Sequence, residues 1–183
     1  MLKLKRLGHL DDADLVEQAR EGSSRAAGEL ARRHWDELFR VAHLILRDVP
    51  AAEDVTQEAL IAALSALEQF DNERPIRPWL VKILTNKALD SGRALSRHRD
   101  RNEISDTLDR SDVAPADEIG RGDLREGLEL LDPVDRTLLI LRYVLDYRSS
   151  EIGELLDMPE GTVRSRLKRA LDQLRTKIEV ETR

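Results

Sequence analysis

Three acceptor-rich side chains and two clusters of cations are the residues of this 183-residue chain whose types and spacing could do chemistry. Asp54, Gln57 and Glu58 stand at i, i+3 and i+4, so a helix would carry all three on one face. Such a trio suits a metal ion or acid–base work, yet no histidine or further carboxylate converges on it in the sequence. A solvated face is the plainer reading, and a docking face for a basic partner is the third. His9, His34, His43 and His98 share no metal-ligand spacing and read as surface or satisfied histidines. The chain has no cysteine, which excludes disulfides, thiolate metal sites and cysteine nucleophiles. With no phosphate loop, metal cluster or nucleophile–base pair, the sequence reads as a non-enzyme with no cofactor.

The cations are more suggestive. Residues 82–101 hold six of them against two acids, and residues 160–177 do the same, although the whole chain has a net charge of −6. The acidity is concentrated between them, where residues 102–126 carry eight acids and three arginines. Sign segregation of this kind is compatible with nucleic-acid binding through the two basic stretches. In the first, Lys82, Asn86, Asp90 and Arg93 make a polar stripe at helical spacing, with Lys87 in the same stretch. Asn and Arg can contact base edges and Lys can neutralise phosphate, although a stripe like this is also what a solvent face looks like.

The second basic stretch closes a segment, Arg148 to Leu171, that reads as two short helices and a tight turn. Ile152, Leu155 and Leu156 form one apolar face, and Gly153 beside it leaves room for a close crossing. Asp157 to Gly161 breaks the run, and Pro159 suits the first position of a new helix. That helix puts Val163, Leu167, Ala170, Leu171 and Leu174 on one side. Gly161, Thr162, Ser165, Lys168 and Arg169 point away, with Arg164 and Arg166 on the flanks. From spacing alone, a helix-turn-helix that reads a major groove and an ordinary hairpin with a solvated basic face both stand.

The remaining elements are helical too. Aromatics are only 3% of the chain, so its core must be built from Leu, Ile, Val and Ala, which favours helices. No apolar run approaches the roughly 20 residues that span a bilayer, and the basic first residues lack a signal-peptide core. No membrane insertion and a cytoplasmic location are therefore expected. Asp11 or Asp12 caps a helix to about Arg20, and Glu21 to Ser24 interrupts before a longer one. After a break at Asp48–Pro50, residues 51–70 read as one helix. Asp71 to Pro78 is a proline-bounded loop, and Trp79 opens the next helix, with Leu80, Ile83 and Leu84 inward. Residues 94–122 lose apolar periodicity and read as a flexible linker. Leu124, Leu128, Leu130 and Leu131 begin another helix, and Asp132-Pro133 caps one carrying Leu138, Leu139, Leu141 and Val144.

These pieces in this order resemble a bacterial RNA polymerase sigma factor of the sigma-70 family, in its small extracytoplasmic-function (ECF) group. The resemblance rests on Ala52-Glu-Asp-Val-Thr-Gln-Glu58 with Phe70, and on Trp79, Leu80, Ile83, Asn86, Asp90 and Arg93 at their spacing. Leu131-Asp-Pro, Arg136, Leu141-Arg142, Glu151-Ile152 and Gly161-Thr-Val-Arg-Ser-Arg-Leu167 with Arg169-Ala170 complete it. It implies an all-α protein of two small helical domains joined by a flexible linker. The expected divisions are residues 1–98 for polymerase binding and promoter melting, 99–122 for an acidic linker, and 123–183 for a helix-turn-helix domain.

The resemblance also distributes roles. Asp54, Gln57 and Glu58 would dock on core RNA polymerase. Asn72, Glu73, Arg74, Ile76 and Arg77 would belong to a loop that captures an unstacked base of the minus-ten element. Lys82, Asn86, Lys87, Asp90 and Arg93 would contact promoter DNA beside it. Thr162, Arg164, Ser165, Arg166, Lys168 and Arg169 would read the minus-thirty-five element. An anti-sigma factor is an implied partner, and a stand-alone helix-turn-helix regulator is the competing function. Three departures stand out: Arg148 occupies a usual capping position, leaving Ser149 to cap; Gly153 replaces an Ala, at up to about 1 kcal/mol of helix propensity; and two prolines stiffen the loop.

Overall fold

The computed structural model describes residues 10–101, 128 and 131–181, with side chains described at 10–94, 128 and 131–176. The expectations for His9, for the side chain of His98 and for residues 102–127 and 129–130 lie outside the described residues. Seven α-helices are described: α1 Asp12–Arg20, α2 Ser24–Leu46, α3 Val49–Ser65, α4 Ile76–Arg101, α5 Pro133–Tyr143, α6 Ser149–Leu156 and α7 Glu160–Glu181.

Side-chain caps set most of the helix starts. Asp11, Ser23, Asp48 and Asp132 each accept a backbone N–H from the first turn of the helix that follows, worth about 1 kcal/mol apiece. At α6 the cap differs from the expectation. Ser149 is the first helical residue, and the Arg148 N–H donates to the Glu151 carboxylate at 2.6 Å. That is the reciprocal half of a capping box.

Helices α1 to α4 pack as one unit around Leu15, Val16, Leu30, Val41, Ile45, Ala59, Val81 and Leu84. Each large side chain buried there contributes about 1.5–3 kcal/mol. Four boundaries depart from the sequence reading. Helix α3 starts at Val49, inside the segment read as a break, because Asp48 caps it and Pro50 is tolerated in a first turn. The helix expected over 51–70 stops at Ser65 and gives way to a 3-10 turn, Leu67–Gln69. Arg20 explains the break: its guanidinium donates to Leu67 O at 2.7 and 2.9 Å and also to Phe70 O. Helix α4 starts at Ile76, three residues before Trp79, because Pro78 needs no N–H partner in a first turn and Ile76 is buried in the core. It then continues through Arg101, into the span read as linker. Loss of an apolar face removes packing but, with no Gly or Pro after Gly92, nothing breaks the backbone ladder.

The second unit holds α5, α6 and α7 around Leu138, Leu141, Ile152, Val163, Leu167 and Ala170. Val144, expected on the helix that Asp132-Pro133 caps, lies past the end of α5 and is 54% exposed. The two units pack directly on each other. Arg136 of α5, buried, reaches across to Ile45 O at the end of α2 at 2.6 Å, and also donates to Leu128 O and Leu131 O. Gly92 of α4 faces Pro133, whose side chain would lie 3.4 Å from an added Cβ. None of the described helices is long and apolar enough to cross a membrane.

Candidate nucleic-acid interface

Helices α6 and α7 meet at the turn Asp157–Pro159. Asp157 takes a left-handed conformation (φ 53°), and Met158 N donates to Gly153 O at 2.9 Å. Gly153 is needed at this turn for a specific reason. A Cβ there would sit 2.6 Å from Met158 O, so the close approach is by the turn's own carbonyl and not by the second helix. Helix α7 begins at Glu160. Pro159 stands just before it, its carbonyl accepting from Thr162 N and Val163 N.

Packing of Val163, Leu167, Ala170 and Leu174 leaves the opposite face of α7 outside. Thr162, Arg164, Ser165, Lys168 and Arg169 are exposed there, as the helical period predicts. Their partners differ. Arg164 pairs with Glu160 one turn back at 2.6 Å. The Ser165 hydroxyl donates to Thr162 O. Arg166 is drawn inward, its side chain 27% exposed, with Nε 2.7 Å from an Asp135 carboxylate oxygen. Arg169 donates to the other oxygen of Asp135 at 3.3 Å. Lys168 has no ion pair among the described residues. Ser165, Lys168, Arg169, Asp172 and Gln173 line an open cleft of about 660 Å³ that ends on Leu131.

The first basic stretch is more occupied. Asn86, Asp90 and Arg93 are exposed on α4, and Arg93 contacts Asp90 at 3.2 Å. Lys82 instead turns to the second unit, donating to Glu154 O at 3.1 Å and lying 3.3 Å from Asp157. Lys87 bridges to Glu58 of α3 at 3.1 Å. Asp54, Gln57 and Glu58 share an exposed face of α3, as their spacing requires. Asp54, Glu58, Lys87, Asp90 and Ser91 line a second open cleft, about 450 Å³, so the acidic face and the α4 stripe meet. Among the described residues no group of histidine or acidic side chains is arranged to hold a metal ion.

The loop residues separate. Asn72 donates to Ala13 O at 3.3 Å, Glu73 and Arg74 are exposed, and Arg74 approaches Asp71 at 3.4 Å. Ile76 is 3% exposed, a core residue at the start of α4 and not part of an open loop. Arg77 donates to Glu37 at 2.7 Å and lies 5.9 Å over the Tyr147 ring. The bond to Glu37 raises the Arg77 pKa further, and burial pushes the Tyr147 phenol up, so neither group changes charge near neutral pH. Sequence reading missed Asp135, Glu37 and Tyr147. The Asp71–Arg74, Asp90–Arg93 and Glu160–Arg164 pairs had a local signal, their i, i+3 or i, i+4 spacing.

Residues 30–98 match the family model for sigma-70 region 2, and residues 121–174 match that for sigma-70 region 4. The ECF RNA polymerase sigma-E factor of Escherichia coli K12 is 30% identical, over 93% of this chain and 95% of its own. Among solved structures, CnrH in complex with the cytosolic domain of CnrY superposes with a TM-score of 0.65 at 27% identity, covering 92% of this chain and 97% of that one. The sigma factor RpoE in complex with the anti-sigma factor NepR, from Bartonella quintana, gives a TM-score of 0.66 over 80% of this chain and 92% of that one; at 22% identity it speaks to fold alone.

Proposed function

The chain belongs to the ECF group of the sigma-70 family, and from that premise we infer how its faces serve promoter-specific transcription initiation. It is a sigma factor that binds core RNA polymerase and directs it to promoters. The carrying observation is the joint one: an exposed acidic face on α3 in the unit matching region 2, and a helix-turn-helix with an open polar face in the unit matching region 4. A stand-alone regulator would leave the Asp54, Gln57 and Glu58 face and the α4 stripe without a purpose.

In this reading residues 1–98 grip polymerase and open the promoter, 99–122 connect, and 123–183 read the upstream element. Asp54, Gln57 and Glu58 dock on the core enzyme. Asn72, Glu73 and Arg74 meet the minus-ten element, while Asn86, Lys87, Asp90 and Arg93 contact DNA beside it. Thr162, Arg164, Ser165, Arg166, Lys168 and Arg169 face the minus-thirty-five element. Lys82 and Arg77 serve promoter DNA only once their contacts to the second unit are released. The protein acts in the cytoplasm without catalysis of its own, and an anti-sigma factor partners it.

Run-off transcription with purified core polymerase tests the assignment. The expected result is promoter-dependent product only when both proteins are present. DNA binding by the chain alone, with no core-dependent transcript, would return the stand-alone regulator.

A further inference from the structure

We propose that Asp135 is the positioning residue of the DNA-reading face, holding Arg166 and Arg169 in fixed orientations from behind. The proposal rests on the assignment of α7 as reader. Its observation is a single carboxylate, 6% exposed, set in α5 beneath the recognition helix and shared by two of that helix's cations. Arg166 and Arg169 are three residues apart, so both stand over the same point of α5. One Asp135 oxygen lies 2.7 Å from Arg166 Nε, and the other accepts from Arg169 Nη2 at 3.3 Å. Asp132 adds a longer contact to Arg166 Nη2, at 3.7 Å, while its own oxygen caps α5.

The chemistry of arginine gives this arrangement its consequence. A guanidinium is a planar fork on a long, flexible stem, and its value in base reading lies in presenting two parallel donors in one plane. A buried carboxylate 2.7 Å from Nε, an ion-pair contact that lacks hydrogen-bond geometry, restricts where the head of the Arg166 side chain sits and leaves its N–H groups for DNA. It also offsets part of the positive charge, which lowers attraction to phosphates of any sequence. Asp135 thus exchanges indiscriminate affinity for orientation. Lys168, on the same face with no ion pair among the described residues, is left to supply the phosphate attraction.

The test uses the full chain assembled with core polymerase and a duplex library randomised across the upstream element, at two salt concentrations. Asp135→Asn keeps the shape and removes the charge. Discrimination between enriched and unenriched duplexes should fall at least about fivefold, the lower bound for losing one oriented base contact. Affinity for a scrambled duplex should rise, with its log–log salt dependence steeper by about one unit as a cation is released to phosphate. Asp135→Glu, which restores the carboxylate, should recover most of the discrimination. If Asp135 only ties α5 to α7, Asp135→Asn lowers the unfolding midpoint and leaves discrimination unchanged; that result overturns the proposal. Should this variant unfold, Arg166→Lys carries the same question. It keeps the charge and loses the planar Nε edge, so discrimination should fall at an unchanged salt slope, and full retention overturns the proposal equally. A wild-type holoenzyme that enriches no upstream sequence removes the assignment of α7 itself. Normal wild-type enrichment with an indifferent Asp135→Asn removes only the role of Asp135.

Discussion

In the N-terminal unit Lys82 and Arg77 reach the other unit, at Glu154, Asp157 and Tyr147, and Lys87 is tied to Glu58. In the C-terminal unit the corresponding cations stay on their own face of α7, where Arg166 and Arg169 are held from beneath and Lys168 has no ion pair among the described residues. By composition the two stretches are equal, each with six cations against two acids. What separates them is which surface their helix turns towards. Helix α4 packs on α2, α3, α5 and α6, and Lys82 and Lys87 are drawn to protein partners while Asn86, Asp90 and Arg93 stay exposed. On the outer face of α7, Ser165, Lys168 and Arg169 line the open cleft that reaches Leu131. A charge count therefore measures capacity for DNA, and packing decides which of those charges is already engaged with protein.

The strongest way to break the difference is Arg136→Ala. It leaves three backbone carbonyls without their charged donor and removes the main polar tie from α5 to α2. Hydrogen bonds to charged groups are worth about 1.5–3 kcal/mol each, so a loss of about 3 kcal/mol is expected after relaxation. Urea unfolding at an unchanged slope would measure it. Because the chain has no cysteine, a pair of introduced thiol labels on α2 and α5 would report directly whether the units separate.

Gly153→Ala comes next and sharpens the contrast between propensity and packing. Propensity alone predicts a gain of up to about 1 kcal/mol. With Met158 O 2.6 Å from the new Cβ, the turn has to shift, and a net loss of about 1–2 kcal/mol is expected. A thermal unfolding scan gives the sign, and a rise in midpoint would contradict the close approach.

Lys168→Ala probes the open face. Binding to the upstream element should weaken similarly for all sequences, with the log–log salt slope reduced by about one unit. A change in base preference would make Lys168 a reader and not a phosphate contact. The smallest effect belongs to Lys82→Ala. Its partner Asp157 is 79% exposed at the side chain, and pairs of that kind contribute below about 1 kcal/mol. Unfolding should barely change, and the introduced labels should report the units still packed. Separation on loss of Lys82 alone would show that α4, and not Arg136, holds them.

Much of the fold was legible in the residues because helices are decided over three or four positions. Asp11 and Asp132 signal starts through a cap geometry that involves only the next turn. The inward and outward faces of α7 follow from its period alone, which is why Thr162, Ser165, Lys168 and Arg169 stand where their spacing put them. Boundaries set from a distance were not legible. The end of α3 depends on Arg20, 47 and 50 positions away, and the burial of Ile76 moves the start of α4 out of the loop.

The sequence by itself determined that this chain is helical, where its basic stretches lie, and that its last two helices form a hairpin with one polar face. The tertiary structure decided what each charged side chain is bonded to. Arg169 meets Asp135 across 34 positions, Lys82 meets Asp157 across 75, and Arg136 meets Ile45 O across 91. A helix ladder is closed within four residues, so a local pattern specifies it. A guanidinium accepts any carboxylate or carbonyl of suitable geometry, and only the packing of distant helices selects which one comes within reach.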